Sequence, residues 1–193
     1  TTIAYAQTRT VTGKILGEFD EHINVRNSVG HGLKIDGSTM EWWFKQQDKV
    51  YNDVFIKAIL LDTEDSKLEQ VLNKFTNWIS SLKIKYGISD TYKTNMNVFG
   101  NGILADNKWI QQAYKVCNLD VPWHFTQDRD VRTLTDLGAR LFNYDYKKVT
   151  FEGTPHNALD DCRHQIKYCC EIYKKLYELC STGNTRTKEF LDK

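Results

Sequence analysis

The sequence is poor in several things that would narrow its role at once. No run of about 18 apolar residues occurs, so nothing in it reads as a membrane-crossing helix. No basic stretch followed by a short apolar one opens it, which gives no sign of a secretory leader. No internal repeat or low-complexity tract interrupts it, so we read one domain over residues 1–193, with 181–193 as a loose tail. An excess of charge is missing too. Twenty-six basic against 25 acidic residues leave +1, which argues against broad coating of duplex phosphate, where affinity follows the number of phosphates neutralised. A protein that grips a single strand end needs few such contacts and can stack aromatic rings on terminal bases. Cysteine is scarce and oddly numbered: Cys117, Cys162, Cys169, Cys170 and Cys180 include no Cys-x-x-Cys pair. That pattern suits small core residues and free thiols in a reducing cytoplasm better than a zinc site or a disulfide framework.

What is present suffices for a core, with 40% hydrophobic and 12% aromatic residues. The first 26 residues read as a β-hairpin turning at Thr12-Gly13-Lys14, with Ile15, Phe19, Ile23 and Val25 on one face and Glu18 and Asp20 on the other. Gly30, Gly32 and Gly37 mark a loop, and Ser38 or Thr39 caps a short helix carrying Trp42 and Trp43. A second apolar stretch covers Val50 to Leu61. From Asp65 onward, Leu68, Val71, Leu72, Phe75, Trp78, Ile79 and Leu82 recur at helical spacing, the clearest amphipathic pattern in the chain. Asn97-Val98-Phe99-Gly100 reads as a short buried strand, and a helix with Trp109, Ile110, Ala113, Tyr114 and Cys117 follows it. Helices alternating with short strands indicate an α/β fold.

Chemistry concentrates in Thr154-Pro155-His156-Asn157-Ala158-Leu159-Asp160-Asp161. Thr154 is a suitable N-cap and Pro155 suits the first helical position, so His156 is expected in the first turn and Asp161 in the second. Ala158, Cys162, Ile166, Cys169, Tyr173, Leu176 and Cys180 then form an apolar stripe expected to press the helix onto a core. Asp161 borders that stripe, whereas Asp160 points about 100° away; Asp161 is therefore the preferred metal ligand. A histidine and acids in a first helical turn also have a plain structural reading, as loop anchors and partners of the helix dipole. Asp106, between the strand and the next helix, lies where ligands gather in open α/β sheets, and equally where an N-cap belongs.

His-x-Ala-x-x-Asp and its helix resemble the third motif of the DEDDh 3'-to-5' exonucleases, the superfamily of polymerase proofreading subunits and ribonuclease T. The phage T4-type subgroup looks nearest. Met40-Glu41-Trp42-Trp43-Phe44-Lys45-Gln46-Gln47 is similar to that subgroup's Trp-Trp helix, and Phe99-Gly100-Asn101-Gly102 with Asp106 is similar to its second motif. Pro122-Trp123-His124-Phe125 and Asp128-Arg129-Asp130-Val131-Arg132-Thr133-Leu134 resemble its later segments. The family's first motif, Asp-x-Glu on an opening strand, should precede Ile3-Ala4-Tyr5-Ala6, and no such pair stands there; Glu18-Phe19-Asp20 has the reverse order.

The resemblance implies a ribonuclease H-like mixed sheet flanked by helices, with the usual first strand missing and its backbone partners left unpaired at the sheet's centre unless another segment fills the gap. It also implies two Mg²⁺ or Mn²⁺ ions, with Asp106 and Asp161 as metal ligands and His156 as general base. Asn101, Trp123, His124 and Phe125 would position the terminal nucleotide, although Trp123 and Phe125 read equally well as core residues. Trp42 and Trp43 fit either packing or base stacking. The implied substrate is a single-stranded DNA 3' end inside a bacterial or phage-infected cell. RNA stays open, since nothing visible reads the 2'-hydroxyl. The competing expectation is a nuclease-derived binding or inhibitory protein without catalysis.

Overall fold

The computed structural model describes residues 3–6, 13–46, 51–88 and 96–191. The expected short strand is present as β2, Met96–Gly100, and burial alternates along it as a two-residue period requires. Met96 and Val98 face the main core, whereas Phe99 faces the opposite side. β1, Ile3–Ala6, pairs antiparallel with β2 in the register Ile3↔Phe99, and β3, Asp128–Asp130, pairs with it in parallel from Val98↔Asp128 to Gly100↔Asp130. The sheet is therefore mixed, in the order β1-β2-β3. Unpaired backbone at its centre, expected from the missing first strand, does not arise: β2 is hydrogen-bonded on both edges because β1 occupies the second one.

The hairpin expected over the first 26 residues is not formed by the described ones. Residues 13–24 contain no strand, and Thr12 of the expected turn lies outside the described residues. The alternation there is satisfied by a helix face instead of a partner strand. Phe19 sets its ring 5.3 Å from Phe75 and 5.7 Å from Trp78, both on the helix Leu68–Tyr86. A helix not foreseen in the sequence follows, α1 (Val25–Gly30), capped by Asn24, whose carboxamide oxygen accepts from the Asn27 amide at 2.6 Å.

The Trp-Trp helix is α2, Gly37–Phe44, and its cap is Asp36, not Ser38 or Thr39. Asp36 accepts from the Thr39 amide at 2.9 Å, and as an anion at a helix N-terminus it is favoured by the dipole as well. These contacts hold its carboxyl below the ordinary range, the Ser38 hydroxyl contributing most. Of the apolar stretch that follows, Val50 lies outside the described residues, and the chain is helical from Tyr51 to Leu60, with a π-type turn over Tyr51–Ile56 running into α3, Lys57–Leu60. The strongest amphipathic pattern becomes α4, Leu68–Tyr86, ended by Gly87 at φ 63°, a left-handed cap that a side chain would strain.

On one face of β2 the core unites Leu68, Leu72, Phe75 and Ile79 of α4 with Met96, Val98, Ala113, Tyr114 and Trp123. The leucine, isoleucine, phenylalanine, methionine and valine side chains among them each contribute about 1.5–3 kcal/mol by leaving water. Ala113 and Tyr114 belong to α5, Asp106–Val116. On the other side, α6 (Val131–Phe142) packs against α7 (Ala158–Leu191). Gly138 makes that approach possible, since a β-carbon there would come within 2.9 Å of the Ile172 side chain. Residues 181–191, expected in a loose tail, continue α7; no proline follows Pro155 to break it.

Candidate active site

A cavity of about 280 Å³ opens where β2 ends and α5 begins, between the Phe99 face of the sheet and the first half of α7. Its lining includes Asn101, Asp106 and Asp161, so residues 60 positions apart in two sequence motifs meet in one place. The stripe Ala158, Cys162, Ile166, Cys169 and Tyr173, expected to press onto the core, forms the cavity wall instead. Among the described residues of this helix Tyr168, Cys170 and Ile172 are buried, and Cys170 also touches the cavity. The reason is the shape of the sheet: Phe99 meets Tyr173 edge-on at 6.3 Å and leaves the space nearer Asp161 unfilled.

The loop that delivers His156 departs from the expected helix start. Asn157, not Thr154, caps α7, accepting from the amides of Leu159 at 3.1 Å and Asp160 at 3.2 Å. Thr154 to Asn157 forms a turn closed by the Asn157 amide on the Thr154 carbonyl at 3.1 Å, with Pro155 second and His156 third at φ 67°. His156 is thereby held off the helix. Its amide donates to Asp161 Oδ1 at 3.3 Å, and its exposed ring stands edge-to-face against Trp42 at 5.0 Å. Burial pushes the Asp161 carboxyl above its usual range, against the opposing pull of the His156 amide and the His156 and His164 charges. Asp160 turns away as the helical step requires. Its Oδ2 accepts the Thr154 amide at 2.9 Å and its Oδ1 pairs with Arg163 at 2.8 Å, so it anchors the loop.

Asp106 is the first residue of α5, with Ala105 at the cap position and no side-chain cap bond, so capping does not explain this aspartate. Among the described residues its carboxylate accepts no hydrogen bond. Next to it, Asn107 is 1% exposed and donates to the Val98 carbonyl at 3.2 Å and to Asp128 Oδ1 at 2.8 Å. Asp128 also receives Trp123 Nε1 at 2.8 Å and Gln111 Nε2 at 3.0 Å. Three donors on one carboxylate tie β3, α5 and the Trp123 loop together and so fix where Asp106 projects. Asp130 adds a second tie, accepting from the Ile103 amide at 3.1 Å and the Thr133 amide at 2.9 Å. These bonds hold its carboxyl below the usual range against the opposing effect of burial.

The other expected site residues are placed elsewhere. Trp123 is a core side chain, 6% exposed, and does not line the cavity. His124 and Phe125 are exposed, their rings 4.3 Å apart, and neither lines the cavity. Glu18 forms a two-pronged ion pair with Arg163 at 2.7 and 2.9 Å and is absent from the cavity lining. An Asp-x-Glu pattern elsewhere in the chain, Asp62-Thr63-Glu64, also lies away from it: Glu64 pairs with Lys67, and Asp62 accepts from Asn24. Asp20 comes nearer. Burial, reinforced by the charges of Asp161, Asp106 and Asp20, pushes the Cys162 thiol up to about 11. None of the five cysteines is in a disulfide.

A family model, the 3'-5' exoribonuclease Rv2179c-like domain, matches residues 1–173. The chain belongs to that family. The matched span contains the whole cavity lining, from Phe99 to Tyr173. It supports a DEDDh-type 3'-5' exonuclease but not assignment to the phage T4-type subgroup. No curated protein and no solved structure matched the chain.

For an Rv2179c-like domain, the donor set fits one hard divalent cation. Asp106 and Asp161 offer carboxylate oxygens into one cavity, one of them raised by burial that a cation would relieve, and Mg²⁺ commonly uses one or two carboxylates with water and substrate phosphate. Among the described residues no group of three His, Cys, Asp or Glu side chains could hold a metal by itself. Gln165, which lines the cavity, and the Asn107–Asp128 tie escaped the sequence reading. Gln165 was signalled by its place four residues after Asp161; the tie joins residues 21 apart and left no local pattern.

Proposed function

We propose that this domain is a metal-dependent 3'-to-5' exonuclease that shortens RNA from its 3' end, in a ribonuclease H-like setting. One observation carries the reading: the cavity at the carboxyl end of β2 joins Asn101, Asp106 and Asp161, with His156 bonded through its amide to Asp161. RNA is preferred over the DNA that the phage-type resemblance implied because the family is described by an exoribonuclease.

The terminal nucleotide enters the cavity with its base toward Phe99 and Ile166 and its linkage toward the carboxylates. Mg²⁺ or Mn²⁺ held by Asp106 and Asp161 would neutralise charge on the phosphate. Asn101 offers a hydrogen bond to the terminal sugar or base. His156 sits outside the lining on an exposed turn, where its imidazole takes the proton from attacking water. Trp42 limits the ring's swing by packing against it. A non-catalytic binding protein is the second reading, favoured because, among the described residues, no group of three His, Cys, Asp or Glu side chains could hold a metal.

The test is digestion of matched 5'-labelled RNA and DNA oligonucleotides with Mn²⁺ or with EDTA, for the wild type and His156→Ala. Expected are 3'-end shortening of RNA, its loss in EDTA, and turnover lowered about 100-fold or more by His156→Ala with binding retained. Faster digestion of DNA would return the DNA reading. Binding of 3' ends without digestion would select the non-catalytic protein, and neither binding nor digestion would remove both.

A further inference from the structure

Arg132, in the first turn of α6, has an exposed guanidinium that makes no hydrogen bond or ion pair among the described residues. It lies close to Gly102. A β-carbon built on Gly102 would lie 3.4, 3.5 and 3.6 Å from Cζ, Nη2 and Nε of Arg132. Three nearly equal distances set the plane of the guanidinium over the space that a side chain at position 102 would fill, space that glycine leaves open. Gly102 has φ 120°, a backbone conformation that favours glycine, and the next residue's amide is fastened to Asp130.

Position gives this cation a use. Its chain neighbour Val131 and Gly102's neighbour Asn101 both line the cavity, so Arg132 stands at the rim. It also lines a second groove of about 430 Å³, with Thr135, Asn143, Tyr144 and Tyr146. The acids of that groove are engaged: Asp136 pairs with Arg140 at 2.8 Å, and Asp145 accepts from the Lys147 amide at 3.1 Å. A strand whose last nucleotide fills the cavity would, on leaving over this rim, bring its next phosphate to Arg132. We propose that Arg132 clamps the phosphate immediately upstream of the scissile linkage and directs the strand into the α6 groove. The inference rests on the exonuclease reading. A planar fork of donors suits a phosphate edge better than a point charge does.

Fluorescence anisotropy on a labelled single-stranded RNA, with Ca²⁺ in place of Mg²⁺, tests the clamp across a salt series. Arg132→Ala should weaken binding about 10-fold or more at low salt and lower the slope of log K against log salt by about 0.7. Arg132→Lys should keep the slope but recover only part of the affinity. Arg140→Ala removes the same charge from the same helix, where it is already paired, and should leave the slope alone. A single methylphosphonate at the upstream linkage should cost the wild type what Arg132→Ala has already lost, and cost Arg132→Ala nothing. Equal methylphosphonate penalties in both proteins, or an unchanged slope, would overturn the clamp. If the wild type digests RNA while Arg132→Ala matches it in every respect, only the clamp fails; if the wild type neither binds nor digests RNA, the exonuclease reading has failed first.

Discussion

Gly100→Ala should show how tightly the floor of the cavity is built. The backbone at Gly100 is not left-handed, so an alanine there meets no intrinsic strain and its whole effect is steric. The new methyl would lie 2.3 Å from Asn107 Oδ1 and 3.0 Å from the Asp106 β-carbon. Asn107 cannot yield by flipping its amide, because that would turn its oxygen onto the Asp128 carboxylate that now accepts its Nδ2 at 2.8 Å. Nor can it move outward, being 1% exposed. Overpacking costs about 1–3 kcal/mol, and leaving a buried group unpartnered costs about 1–3 kcal/mol more. With about 4 kcal/mol as the centre of the combined range, and about 2–4 °C per kcal/mol for a chain of this size, Tm should fall by about 8–16 °C.

Thermal unfolding followed by circular dichroism measures this, with Gly30→Ala as the control, since no atom lies within 4 Å of that position. Asn107→Ala should itself destabilise by removing the two donor bonds. The double variant should be no worse than Asn107→Ala alone, because the space needed by the methyl is then empty. A Gly100→Ala protein as stable as Gly30→Ala would refute the reasoning, as would full additivity in the double variant.

Other outcomes follow from the same geometry. Trp123→Phe should lower stability by about 1–2 kcal/mol through loss of the Nε1–Asp128 bond, with KM for oligonucleotide unchanged; a raised KM would restore Trp123 to the substrate site. Asp161→Asn should raise Tm when divalent cations are absent and abolish the Tm increase that Mg²⁺ produces. Burial raises the folded pKa of Asp161 above its unfolded value, so the ionised carboxylate opposes folding once pH exceeds the unfolded pKa, fully above the folded one. The stabilising effect of Asp161→Asn should therefore be present at neutral pH and fade on acidification. Gly153→Ala, at φ 106° and 2.5 Å from the Asp160 carboxyl, should cost about 1–3 kcal/mol and slow turnover by loosening the His156 turn, with the Mg²⁺-dependent Tm shift kept.

Legibility in the sequence followed the range of the forces concerned. α4 could be read directly because one uninterrupted apolar stripe specifies a helix regardless of its partner. The strand over residues 97–100 is readable for a similar reason, and Asp106, expected between it and the next helix, is that helix's first residue. Segment 13–24 was not, since alternating residues suit any flat apolar surface, and here α4 supplies that surface. The cavity wall on α7 misled in the opposite direction: periodicity shows which residues share a face but not whether the face is filled, and Phe99 covers only part of it.

His156 marks the sharpest limit. Thr154 and Pro155 have the propensities of a helix start, yet a helix beginning there would put His156 in ordinary helical backbone and leave the Thr154 amide pointing to no acceptor outside the helix. The chain resolves this with Asp160, whose carboxylate reaches back six residues to the Thr154 amide while Gly153 gives it room. Asn157 then takes the cap, and the turn before it lifts His156 toward Trp42, a residue more than a hundred positions earlier. Asp160 is thus what separates the histidine from the helix, and Asp161 is what the histidine amide returns to. Two adjacent carboxylates of the same type acquire different work because one helical step turns the first to the loop and the second to the cavity.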